Sequence, residues 1–375
     1  MDDSDPDLLP EGLEDRLPRE AAATTRILRA IQDVMHGHGY DRVVPPMIEF
    51  ERSLASRMAG NQSPKATRGM FRFVDPASLR MMALRSDITP QVSRIAGTRL
   101  SQSPRPLRLC YAGQVLSIKG DGLDPARERL QCGAELIGVD SVAAASEIVT
   151  IAIEAAIAAG ATGVSVDFTL PDLVDTLADK AMPLPPERIA AVRRELDAKD
   201  AAGLVASGGE AYVPLLYATG EFDTAIERLC AIDAGGALAS RIAALREIAG
   251  RIGTSARLTL DPSERHGFEY QSWFGFTLYA DGVRGALGRG GTYRIAGAGE
   301  DEVATGFSLY PDPLIDLAGD AGQEERLFLP LGHDIDAAAR LRAIGWRTVA
   351  ALSDHDDAVR LGCTHRLTAD GPVPL

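Results

Sequence analysis

The chain has 375 residues, of which 25% are charged and 45% hydrophobic, and a formal net charge of −14. That length and balance fit a globular protein of two or three domains with a substantial core. The acidity argues against the broadly cationic surface that non-specific nucleic-acid binding needs. The four cysteines (Cys110, Cys132, Cys230, Cys363) are too far apart to offer a CxxC zinc pair, so no metal is expected.

In chain order, the acidic N-terminus lacks the basic and apolar regions of a signal peptide. Residues 19–36 carry Ile27, Ile31 and Val34 at helical spacing and end at Gly37 and Gly39, which predicts an amphipathic helix. Val43-Val44 before Pro45-Pro46 reads as a strand entering a turn. A strand pair is expected over 70–74 and 79–84, then a helix over 87–100 with Pro90 in its first turn. Strands are expected over 107–116 and 130–139, joined by a polar Gly- and Asp-rich connection.

Residues 141–159 form an Ala-rich helix closed by Gly160. Its apolar run is interrupted by Glu154 and too short to span a bilayer, so neither a membrane nor a secreted setting is expected, and the cytoplasm is the natural location. Val164, Val166 and Phe168 alternate with polar residues, as in a half-buried strand. From Pro171 the pattern changes. A helical insertion is expected over about 172–250, with helices near 186–197, 222–232 and 238–249. Strands resume at 256–260, 273–279, 285–287 and 303–309, with Asp281-Gly282 as a hairpin turn signal. Gly288-Arg-Gly-Gly291 lies in a β context, where a tight turn or close strand packing is the ordinary reading. The tail over 325–375 reads as β-α-β-α-β, with its second helix at 356–361.

The fold class is therefore α+β: a mostly antiparallel body over 1–320 and a short α/β segment over 325–375. There is neither GxGxxG nor GxxxxGK[ST], and the β-α alternation of a Rossmann enzyme is missing. No cofactor is expected.

Five segments stand in an order that resembles one family. LRLCYAGQVLS, a polar loop, then ERLQCGAELIG resembles the second signature motif of class II aminoacyl-tRNA synthetases, nearest to the histidyl type. YDRVVPPMIEF is similar to the first, dimer-forming motif. LRSDITPQVSR resembles the segment bearing amino-acid-binding residues, RHGFEYQSW the histidine-specific segment, and GRGGTYR with ATGFSLYPDPLI the third motif. The resemblance implies an antiparallel class II sheet flanked by helices.

Activation of an amino acid by ATP builds negative charge on phosphate oxygens, which fixed guanidinium groups stabilise. The resemblance implies an arginine at three positions. Here they hold Ser117, His266 and Pro313, and Lys119 stands in place of a glutamate. Losing one such group costs roughly 10²- to 10³-fold in rate.

The amino-acid side differs. Asp87, Thr89, Gln131, Glu135 and Tyr270 fall where the resemblance implies contacts to histidine, although Gln271 replaces a second tyrosine. An ammonium wants carboxylates and an imidazole nitrogen wants an acceptor. On a strand, Gln131, Gly133 and Glu135 share one face. Solvent-facing strand positions are the plainer reading of spacing alone. Arg85 is expected to pair with Asp87 or meet a ligand carboxylate. Arg127 and Arg129 are expected to be solvated loop arginines, with Arg127 a candidate loop contact, and core or pocket wall is the ordinary reading of Tyr270 and Trp273.

A synthetase-like body without activating arginines and with a shortened tail is similar to the regulatory subunits of short-form ATP phosphoribosyltransferase. That resemblance implies a chain without catalysis of its own. It also implies self-association as a dimer, a separate catalytic subunit as partner in the first step of histidine biosynthesis, and L-histidine as effector. It makes tRNA an improbable ligand. An active histidyl-tRNA synthetase and a free-standing histidine sensor with another partner are the alternatives.

Overall fold

The computed structural model describes residues 8–55, 69–120, 125–233, 235–265, 271–295, 301–318 and 325–375. Helix α1 (Pro18–Gly37) leads into β1 (Asp41–Arg42), β2 (Ile48–Phe50) and α2 (Glu51–Ala55). Strands β3 (Arg72–Val74) and β4 (Met81–Leu84) precede α3 (Thr89–Gly97). The long hairpin β5 (Leu107–Leu116) and β6 (Glu128–Ile137) is followed by α4 (Val142–Ala158) and β7 (Ser165–Thr169). Four helices follow: α5 (Leu173–Lys180), α6 (Pro186–Asp197), α7 (Ala201–Ala206) and, after a 3-10 turn and β8 (Gly220–Glu221), α8 (Phe222–Ile232). Then come α9 (Ala239–Ile252), β9 (Arg257–Leu260), β10 (Gln271–Tyr279), β11 (Gly288–Ile295), β12 (Glu302–Leu309) and α10 (Asp312–Ala318). The chain divides into two compact units, Met1–Gly319 and Asp320–Leu375.

In the first unit a nine-stranded sheet runs β1-β5-β6-β12-β11-β10-β7-β9-β8. Among the described residues of this sheet only β1–β5 and β7–β9 pair parallel. A smaller sheet, β2-β4-β3, lies within the same unit. Strand residues alternate between faces, so register decides what each face carries. Cys132, Ala134 and Leu136 of β6, Phe307 and Leu309 of β12, Phe274, Phe276 and Leu278 of β10, and Val166 and Phe168 of β7 join the main core. Helices α1 and α4 cover that face. Helix α1 presents Ala23, Ile27, Ile31 and Met35, one residue every four, so Met35 and not Val34 completes its stripe. Helix α4 is capped by the Ser141 hydroxyl on Ala144 N and is buried along most of its length.

The opposite face is different. At one end α3 seals it with Ile88, Val92 and Ala96 against Leu109, Tyr111, Ile137 and Tyr293. In the middle it is polar. Cross-strand neighbours there are Gly133, Ser308, Arg289, Thr277 and Asp167, one from each of five adjacent strands.

Several expectations change. The first strand is Asp41–Arg42, not Val43-Val44: Val43 N still donates to Cys110 O, but Val44 is 74% exposed and Pro45 cannot extend the ladder. Strand β7 is not half-buried but buried on both faces, because it lies inside the sheet. Residues 285–287 are loop, and the glycine run itself is strand β11. A side chain at Gly290 would collide with Phe276, so close strand packing is what its glycines allow.

The second unit has sheet order β14-β13-β15-β16, with β13 (Arg326–Leu329), β14 (Arg347–Ala350), β15 (His365–Thr368) and β16 (Gly371–Pro374), and helix α11 (Ile335–Ala343). The second helix expected at 356–361 is a set of turns. Asp356 accepts from Leu352 N and Ser353 N, and Asp357 from Arg360 N. A six-residue segment followed directly by Gly362 gains too little to stay helical. Strand β16 was not anticipated.

Among the described residues no helix is long and apolar enough to cross a membrane. Ile148, fully buried at the centre of α4, makes the packing testable. Ile148→Ala is expected to cost about 2–5 kcal/mol, read as an earlier urea midpoint at unchanged slope.

Candidate functional site

Strand β6 places Gln131, Gly133 and Glu135 on the polar face, and the start of α3 closes over them. Gln131 is 0% exposed and Glu135 1%, so neither is a solvent-facing strand position. The Ile88 N–H donates to Gln131 Oε1 at 2.9 Å. That contact fixes the amide, because only the oxygen can accept. Gln131 Nε2 then donates to Asp87 Oδ1 at 2.7 Å and to Ser308 Oγ at 2.8 Å. Asp87 also accepts from Thr89 N at 3.0 Å, which anchors the first turn of α3.

The chain of bonds continues inward. Ser308 Oγ lies 2.9 Å from Tyr111 OH, which donates to Glu135 Oε1 at 3.3 Å. Thr89 Oγ1 donates to the same oxygen at 3.2 Å. Tyr293 OH donates to Glu135 Oε2 at 2.6 Å. Burial pushes the Glu135 carboxyl from its ordinary 4.5 up to about 8; repulsion from Asp87 adds to this, and the hydroxyl donors, Tyr293 foremost, oppose it. Burial, with the Glu135 charge beside it, also drives the Tyr111 phenol well up. The site thus offers one enclosed carboxyl and one half-exposed carboxylate, joined by Gln131, Ser308 and Tyr111. Such a pair suits a small ligand that presents N–H groups or positive charge.

The two loop arginines are half-exposed, and each guanidinium lies against an aromatic ring. Arg129 opens β6 as its second residue, with its guanidinium 5.0 Å from the Tyr310 ring centre. Arg127 lies over the Phe71 ring at 4.7 Å and donates to Glu11 O. Arg85 is 6% exposed and does not pair with Asp87. It donates to Gln114 O at 2.7 Å and Pro45 O at 3.0 Å, bracing β5 against the proline turn. Trp273 is core, with Nε1 donating to Asp140 at 2.9 Å.

At the positions where the resemblance implies activating groups, Ser117 donates to Lys119 O at 2.8 Å. Lys119 is exposed, and Pro313 is the second residue of α10. His266 and Tyr270 lie outside the described residues. Among the described residues no group of three or more His, Cys, Asp or Glu side chains is arranged to hold a metal ion.

Sequence reading missed Tyr111, Tyr293 and Ser308. The available signal was period two: Tyr293 lies four residues after Arg289 on β11 and shares its face.

The comparisons agree with this architecture. The histidyl-tRNA synthetase family model matches residues 12–314. The chain is 43% identical to an ATP phosphoribosyltransferase regulatory subunit of Paramagnetospirillum magneticum, covering 98% of both chains. It is 44% identical to that of Rhodospirillum centenum, over 98% of this chain and 95% of the relative. The chain belongs to the ATP phosphoribosyltransferase regulatory subunit family. Its fold is the class II, histidyl-tRNA synthetase-like fold. A Bacillus halodurans structure described as an ATP phosphoribosyltransferase regulatory subunit/histidyl-tRNA synthetase superposes with TM-score 0.80 at 23% identity, covering 96% of this chain and 97% of that one. Histidyl-tRNA synthetase from Nostoc sp. PCC 7120 gives 0.78 at 16% identity, with 97% and 92% covered. The family role is regulatory, within histidine biosynthesis.

The Glu135 carboxyl makes a signed prediction. Between pH 4.5 and about 8 the folded state holds a proton that the unfolded state has released, so stability falls as pH rises through that window and levels off above it. Glu135→Gln is expected to flatten that part of the stability–pH curve, measured by urea unfolding from pH 5 to 9.

Proposed function

We propose that this chain is a non-catalytic regulatory subunit. It associates with a short-form ATP phosphoribosyltransferase catalytic subunit, is required for that subunit's activity, and brings it under feedback by L-histidine. The observation that carries the reading is the near end-to-end match to relatives named as such regulatory subunits, 98% of both chains in the Paramagnetospirillum case.

The site supports it. Asp87, Thr89, Gln131 and Glu135 form one bonded unit, with an acceptor for an ammonium and another for an imidazole. At Ser117 and Pro313 the side chains have no cation to offer a developing phosphate charge. In this reading the pocket is a histidine receptor that retains recognition and has lost activation. Self-association through the Tyr40–Phe50 region completes the proposal. Feedback requires histidine to prefer one state of the complex, and the coupling is reciprocal.

The test is reconstitution. Purified chain added to a short-form catalytic subunit is expected to raise the rate of ATP and phosphoribosyl pyrophosphate condensation severalfold, and histidine is expected to inhibit the mixture. The chain alone is expected to catalyse no histidine-dependent ATP–pyrophosphate exchange. No change in transferase rate or histidine sensitivity defeats the proposal, and exchange at ordinary enzyme concentrations favours an active synthetase instead.

A further inference from the structure

Glu135 and Tyr293 are not on adjacent strands. Glu135 is on β6, Tyr293 on β11, and β12 runs between them. On β12 the residue opposite Glu135 is Gly306, and the residue opposite Tyr293 is Ala304. The carboxylate reaches Tyr293 only by lying flat across β12, over Gly306. A Cβ built at Gly306 would overlap Glu135 Oε2 itself. At Gly133 a Cβ would meet first the Phe307 carbonyl oxygen of β12, at 2.2 Å, and then the Tyr111 hydroxyl, at 2.5 Å. Gly306 is thus sized to the carboxylate that crosses it, and Gly133 to both the neighbouring strand and Tyr111.

The consequence is directional. Tyr293 occupies Oε2, and Gly306 lets the carboxylate reach it. Oε1 then remains on the side of Thr89, Tyr111 and the bonded chain that ends at half-exposed Asp87. We propose that Tyr293 is a positioning residue of the small-ligand site, which holds Glu135 across Gly306 so that its other oxygen faces a ligand N–H or cation. The histidine part of this rests on the reading of the pocket given above; the hold of Tyr293 on Glu135 does not. Among the described residues the titratable groups around Glu135 are Asp87 before α3, Tyr111 on β5, Tyr293 on β11 and, more distantly, Tyr40 before β1. Of the hydrogen bonds that oppose the burial of Glu135, that from Tyr293 is the largest.

The test uses the full chain, labelled with carbon-13 at glutamate carboxyls, with the signal of Glu135 identified by its loss in Glu135→Gln. Tyr293→Phe removes one hydroxyl and little volume. It is expected to tighten proton binding at Glu135 about tenfold, raising the midpoint by one pH unit, with little change in melting temperature. Gly306→Ala, which pushes the carboxylate from the other side, is expected to move the same signal. In calorimetry Tyr293→Phe is expected to weaken L-histidine binding about tenfold at neutral pH, and to have no further effect in a Glu135→Gln background. An unmoved midpoint in Tyr293→Phe overturns the proposal. So does an equal loss of affinity in the Glu135→Gln background, which would make Tyr293 a contact of its own. If the midpoint moves but the wild-type chain takes up no histidine, the positioning role stands and the histidine reading fails.

Discussion

Strand β6 has to serve two environments at once. Cys132, Ala134 and Leu136 enter the main core beneath α1 and α4, while Gln131, Gly133 and Glu135 face the other way. A slip of one residue would bury the amide and carboxyl in hydrocarbon and put the apolar set in the site. The register that seats β6 between β5 and β12 is therefore also the register that assembles the site. Core and site are not separable parts here; they are the two sides of the same hydrogen-bonded ladder.

The polar face meets the cost of burying Glu135 with donors from three different elements. Thr89 comes from α3, Tyr111 from β5 and Tyr293 from β11, while Ser308 of β12 connects Tyr111 to Gln131. These donors do not fully offset the loss of water, since the carboxyl remains shifted up to about 8. A site left with this imbalance gains from a ligand that supplies positive charge or N–H groups.

Two of the three positions that resemblance assigns to activation lie at the end of β5 and the start of α10, where Ser117 bonds back to the chain and Pro313 sits in the first turn of a helix. Neither is in the bonded unit around Glu135, so they can be replaced while that unit stays whole. Arg127 and Arg129, by contrast, are half-exposed and lie against Phe71 and Tyr310. Polar loop composition does not reveal such stacking.

Much of this was legible in the residues. The alternation in LQCGAELIG placed Gln131 and Glu135 on one face, the Ala-rich run before Gly160 marked α4, and the order of five motifs implied a class II sheet. Those features are local: a period of two or 3.6 is dictated by the backbone of one segment. What the amino-acid order did not disclose came from pairings across long separations. Tyr293 meets Glu135 across 158 positions and Ser308 meets Gln131 across 177. Arg85 turned from a supposed ion-pair partner into a brace on two carbonyls, and Gly306 from a motif letter into the space under a carboxylate. Strand periodicity states which way a side chain points. Only the cross-strand register of the folded sheet decides what it meets there.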